Sequence, residues 1–196
     1  VPRRSDTKER LLDASAQLFR RQGYWGTGLV EVTETGQAPW GSLYHYFPGG
    51  KEQLGVEALE RSGSRYQHLI ASVFSRHTSV TAAVKEFFEL MIDSLEKSGF
   101  ADGCPIATVT VDVASRSEAL RQACSTAFSA WTEQLTEYFE PTFGAASGRL
   151  AVFALSTFEG AMVLSRAHHD ITPLRVACEL LVAALDAAIS GGTQPR

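Results

Sequence analysis

Cysteine is scarce: Cys104, Cys124 and Cys178 make an odd, scattered set. They suit neither a disulfide framework nor a CxxC metal pair, which points to a reducing cytoplasm. No run of about 18 apolar residues occurs, so no membrane span is expected. The opening stretch VPRRSDTKER has no apolar core, so no signal peptide is expected either. GxSxG, P-loop and GxGxxG motifs are absent. His168, His169 and Asp170 resemble metal chemistry, but neighbours on a helix point about 100° apart and the i, i+4 pairing of helical zinc sites is missing. Cys124 and Cys178 have nothing beyond their sulfur to mark them as nucleophiles. Neither an enzyme nor a cofactor is expected.

What is present is ordinary globular material. The 196 residues suffice for one or two domains with a real core, at 44% apolar and 20% charged. The net charge of −4 weighs against nucleic acid, but it is unevenly spread. Residues 1–51 hold seven Lys/Arg and five Asp/Glu, giving +2, and the rest carries −6. A mildly positive head on an acidic body is compatible with DNA binding through few phosphate contacts.

The pattern is helical throughout, with no convincing period-two stretch, so the fold class is all-α. Asp6 and Glu9 look like a capping signal before a first helix carrying Leu11, Leu12, Leu18 and Phe19, stopped by Gly23. Thr27 suits the cap of a short second helix, 28–35. After Gly36, Pro39 suits the first position of a two-turn third helix ending at Pro48-Gly49-Gly50. Further helices are expected over 51–75, 80–97, about 105–113, 117–139, 146–168 and 172–190, with a break at Pro141-Thr142 and a mobile tail SGGTQPR.

Three short helices with a tight turn before the last form a helix-turn-helix, whose last helix enters the major groove. Gly41 and Ser42 would let that helix approach DNA closely, while Leu43 and Phe47, four apart, would face inward. Ser42, Tyr44 and His45 carry hydrogen-bonding ends suited to phosphates and base edges, and Lys51 opens the following helix. The plain alternative is that this aromatic cluster is core. The basic residues Arg3, Arg4, Lys8, Arg10, Arg20 and Arg21 lie near the head; the N-terminal arginines either track the backbone or form a solvated tail.

The stretch from Thr27-Gly28-Leu29 through APWGSLYHYFPGGKEQL resembles the DNA-binding domain of TetR/AcrR-type transcriptional repressors. PGGKEQL and Gly103-Cys104-Pro105-Ile106-Ala107 resemble the LmrA/YxaF subgroup. The resemblance implies an N-terminal helix-turn-helix domain, residues 1–50, and a C-terminal helical ligand-binding and dimerisation domain, residues 51–196. It implies a homodimer on a pseudo-palindromic double-stranded DNA operator, released by a small apolar effector, in the cytoplasm. The DNA-contacting set would be Thr27, Trp40, Ser42, Tyr44, His45 and Lys51. Members commonly carry Lys or Arg where this chain has Trp40, which either meets a thymine methyl or sugar edge or packs inward.

In the body, 146–168 and 172–190 are apolar around most of their circumference, with small residues such as Ala154, Ser156, Gly160 and Ala161. Two such helices from each of two chains would form a four-helix bundle; alternatively they bury themselves within one chain. Candidate pocket residues are Phe87, Phe88, Met91, Phe128, Trp131, Phe158 and Met162, each equally readable as plain core. Glu159, a carboxylate amid STFEGAMV, would anchor a ligand, pair across a dimer or sit at a rim. Cys104 is placed by resemblance alone where family members couple ligand to head. A different class remains open: a small-molecule-binding helical protein whose head is vestigial.

Overall fold

The computed structural model of the chain describes residues 4–191. Arg3, the side chain of Arg4 and most of the expected mobile tail lie outside the described residues. Among the described residues there are helices and no strands. They are α1 (Arg4–Gln22), α2 (Leu29–Thr35), α3 (Trp40–Tyr46), α4 (Gly50–Phe74), α5 (Val80–Lys97), α6 (Pro105–Val113) and α7 (Glu118–Phe143). A 3-10 turn (Gly144–Ala146) then leads to α8 (Ser147–His168) and α9 (Thr172–Gly191).

Several ends differ from the sequence reading. Asp6 does not cap α1; it lies in the first turn and accepts a hydrogen bond from Arg10 Nη1 at 3.1 Å. Pro39 is the N-cap of α3 in an extended conformation, one residue earlier than expected. The expected break at Pro141 is not a break: α7 runs on to Phe143. Pro141 is exposed and close to the helix end, so its missing N–H interrupts little of the hydrogen-bond ladder. The stop at Gly23 holds, with φ +73° and its peptide N–H donating to Phe19 O. A Cβ there would lie 2.1 Å from Asp112 Oδ2, so that carboxylate would have to swing aside, but it is the positive φ that calls for glycine.

The chain forms two compact units, Val1–Arg65 with Cys104–Phe128, and Tyr66–Gly103 with Ser129–Arg196. The borders fall inside α4, between α5 and α6, and inside α7. In the first unit, α1 packs on α2, α3 and α6, burying Leu11, Leu12, Leu18 and Phe19. A polar seam joins α1 to α4: Arg61 pairs with Asp13 at 2.9 Å and Glu9 at 2.5 Å, and Lys8 pairs with Glu57 at 2.7 Å. These pairs are partly exposed, so they set register more than stability. In the second unit, α9 packs against α5 and α8. The stretch 118–168 holds an 18-residue window apolar enough to cross a membrane by length and composition, of which 33% is buried.

Gly55 marks a close approach of α4 to its neighbours in the first unit. A Cβ there would lie 2.8 Å from Leu120 Cδ2 and 2.9 Å from Tyr24 Cε2, both on buried residues. Gly55→Val is expected to cost about 1–3 kcal/mol through overpacking, read as a lower midpoint in urea denaturation.

Candidate nucleic-acid interface

The turn between α2 and α3 is built from backbone closure and one side chain. Gln37 adopts φ +48°, Gln37 N–H donates to Glu34 O at 3.0 Å, and Ala38 N–H donates to Thr33 O at 2.9 Å. Arg10 reaches across from α1, donating from Nε to Gly36 O at 3.0 Å and from Nη2 to Gln37 O at 3.4 Å. This clamp was not legible in the sequence, where Arg10 is one of several basic residues near the head. Nothing short of the fold shows that its reach ends on the turn. Lys8 is likewise engaged, with Glu57 and over the Phe47 ring.

Leu43 and Phe47 are fully buried, as their spacing indicates. Burying that stripe leaves Trp40 and Tyr44 exposed, at 47% and 51%, with ring centroids 5.9 Å apart and planes at 75°. His45 is exposed beside Tyr46, and Gly41 opens onto solvent: a Cβ there would meet nothing within 4 Å. Trp40 therefore faces outward and does not pack inward. Ser42 is half-buried, and its hydroxyl donates to Pro39 O at 2.5 Å.

Two expected contact residues are placed differently. Thr27 is 1% exposed, and its hydroxyl donates to Gly23 O at 2.7 Å. The N-cap of α2 is Gly28, which makes no side-chain cap bond, so Thr27 tightens the corner before α2 instead of capping it. Lys51 turns toward the protein: Nζ donates to Tyr24 O at 2.7 Å and lies 4.3 Å from the Tyr24 ring centroid and 5.7 Å from that of Trp25. Burial pushes its ammonium below the usual lysine range, against the opposing pull of the Asp112 charge. Trp25, although half exposed, donates from Nε1 to Asp112 O at 3.0 Å near the end of α6. Ser117 donates to Glu52 Oε1 at 2.6 Å on the same side. Together these tie the α1–α2 corner, the start of α4 and the end of α6 into one braced corner.

The second unit contains an apolar cavity of about 40 Å³, partly open to solvent. Of the expected residues, Phe87, Phe88, Trp131, Phe158 and Glu159 line it. Phe158 is central, with Phe87 and Phe88 at 5.2 and 5.4 Å between ring centroids. Sequence spacing missed Tyr66, Ile70, Phe74, Leu135 and Phe139 on α4 and α7, whose long amphipathic patterns read as core. Met91 and Met162 are buried in this unit but do not line the cavity. Phe128 and Cys104 belong to the first unit, where Cys104 Sγ caps α6 by accepting from Ala107 N–H at 3.4 Å. Burial raises the Cys124 and Cys178 thiols, which disfavours the reactive thiolate. Asp170 is occupied by Thr172, accepting from its N–H at 3.0 Å and its hydroxyl at 2.9 Å.

Two short helices about a clamped turn, the second burying one stripe and showing another, make the first unit a helix-turn-helix of the DNA-binding class. Two family descriptions match the chain: "Bacterial regulatory proteins, tetR family" over residues 11–58, and "Transcriptional regulator LmrA/YxaF-like, C-terminal domain" over residues 80–180. The HTH-type transcriptional regulator YxaF of Bacillus subtilis (strain 168) is 32% identical over 178 residues, covering 90% of this chain and 93% of that protein. LmrA of the same organism is 31% identical over 172 residues, covering 86% and 91%. Regulatory protein TetR from Rhodobacter sphaeroides superposes with a TM-score of 0.82 at 19% identity, covering 89% of this chain and 96% of that one, a likeness of fold. The chain belongs to the TetR family of transcriptional regulators, on its LmrA/YxaF-like branch, and is not an enzyme.

Lys51→Met removes the hydrogen bond to Tyr24 O while keeping an unbranched apolar stem. A loss of about 1 kcal/mol is expected, measured by chemical denaturation.

Proposed function

We propose that this regulator is a ligand-responsive repressor that binds a pseudo-palindromic operator as a homodimer and is released by a small apolar ligand. The observation that carries the reading is the outward face of α3, where Trp40, Tyr44 and His45 stand exposed around an open Gly41. In this reading residues 1–50 dock on DNA and 51–196 bind ligand and dimerise. Trp40, Tyr44, His45 and Ser42 meet the groove, while Thr27 and Lys51 act by positioning the corner behind them. Two heads about 34–36 Å apart would engage successive major grooves.

The dimer reading draws on α8 and α9. Val152, Phe153, Val163 and Leu164 on α8, and Val176, Leu180 and Ile189 on α9, are 41–62% exposed. Ser156 and Gly160 lie between them on α8, also exposed and small enough for close helix approach. Exposed apolar residues on two neighbouring helices favour association, and those on α8 lie within the stretch 118–168 that holds the membrane-like window. The cytoplasm is the compartment in which such a regulator meets its operator. The aromatic cavity, with Glu159 as the single carboxylate of its wall among the described residues, is the proposed effector site. Release would be a population shift, its extent set by the ligand's preference for the conformer that binds DNA less well.

The absence of Lys and Arg from α3 favours one rival: a ligand-binding helical protein whose head is vestigial. Retention on DNA-cellulose separates the two, because a vestigial head elutes at low salt. Selection of bound fragments from random duplexes is expected to yield a twofold-symmetric sequence. Tyr44→Ala is expected to weaken binding to that sequence by about tenfold or more, in line with roughly 1–3 kcal/mol for a lost groove contact. A gel shift at fixed salt with unchanged affinity would refute the assignment. Leu180→Asp is expected to convert the dimer to monomer in sedimentation; a wild-type protein already monomeric at micromolar concentration overturns the dimer reading.

A further inference from the structure

The seven residues of α3, WGSLYHY, include no Lys, Arg, Asn, Gln, Asp or Glu. The strongest direct readouts of the major groove are thereby closed to this helix: bidentate Arg or Lys on guanine, amide on adenine, and carboxylate on cytosine. Its most prominent outward feature is apolar instead. Trp40 and Tyr44, one turn apart, meet edge to face at 5.9 Å and project as one wedge, each about half exposed. Gly41 beside them places no side chain in the way, so the helix backbone can come close to the groove floor. The Ser42 hydroxyl is already donated to Pro39 O.

The major groove offers one apolar group, the C5-methyl of thymine. An aromatic edge left in water gains by covering it. A sugar or phosphate contact would leave the ring face wet and use only the single indole N–H. We infer that Trp40, buttressed by Tyr44, reads the 5-methyl group of a thymine in each operator half-site, and is a specificity-determining residue of this regulator. The inference rests on the operator-binding reading above and adds the base class that α3 selects.

The test uses the full chain and the duplex obtained by selection. Each thymine of the half-sites is replaced in turn by deoxyuridine, which removes the methyl and leaves every hydrogen-bonding group in place. Affinity is measured by fluorescence anisotropy at constant salt. At one position the loss is expected to be roughly fourfold per methyl, since burying a methyl-sized group is worth about 0.8 kcal/mol and tenfold corresponds to about 1.4 kcal/mol. Substituting both symmetric positions is expected to cost roughly fifteenfold. Trp40→Ala should bind more weakly and no longer distinguish thymine from deoxyuridine at that position. Tight, sequence-selective binding that is indifferent to every methyl, or a methyl preference that survives in Trp40→Ala, overturns the inference and leaves operator binding intact. Absence of any sequence-selective binding removes the operator reading itself, and the inference with it.

Discussion

Leu43 and Phe47 are both fully buried, and a helix of seven residues has only one stripe to give to the core. Their burial against α1 and α2 decides how α3 lies, and with it which side chains remain outside. Trp40 and Tyr44 occupy the neighbouring stripe and are left in solvent together. A helix this short has almost no stability of its own, because nucleation costs more than so few hydrogen bonds return. Everything the head can present to a partner therefore depends on those two anchors.

Polar braces complete what the small apolar area cannot. Arg10 donates to two carbonyls of the α2–α3 turn, which would otherwise need water or a helix to satisfy them. Lys51 and Trp25 do the same for Tyr24 O and Asp112 O, so cation, indole and carbonyl groups knit the corner behind α2. The desolvated ammonium of Lys51 fits that role, since a group committed to the interior is not free to track phosphates. Charge in the head thus serves architecture more than its +2 balance implies.

The body uses one kind of composition for two ends. Aromatic residues such as Phe87, Phe88, Phe158 and Trp131 turn inward around a cavity. Val163, Leu164, Val176 and Leu180 turn outward on α8 and α9. Both sets lie on helices whose apolar residues recur at three- and four-residue steps, so periodicity alone cannot say which faces a cavity and which faces solvent. Val163 and Leu164 lie within 118–168, part of which resembles a membrane span in composition.

Helix order, most helix bounds, the buried pair Leu43/Phe47 and the family were all legible in the sequence. These follow from local physics: glycine and proline punctuate, apolar spacing marks a face, and short motifs survive as strings. Other features were not legible. Thr27 reads as a cap but is buried with its hydroxyl turned back to Gly23 O. Lys51 reads as a phosphate ligand but ends on Tyr24 O, and Pro141 reads as a break but sits inside α7. The cavity wall drew on Tyr66, Phe74 and Phe139, and the first compact unit took in α6. By itself the sequence determined an all-α regulator with a helix-turn-helix head, because those properties are written in near-neighbour spacing. Tertiary structure alone decided which cations are spent on carbonyls, which aromatics surround a void and which apolar faces stay bare, because these depend on atoms brought together from far apart in the chain.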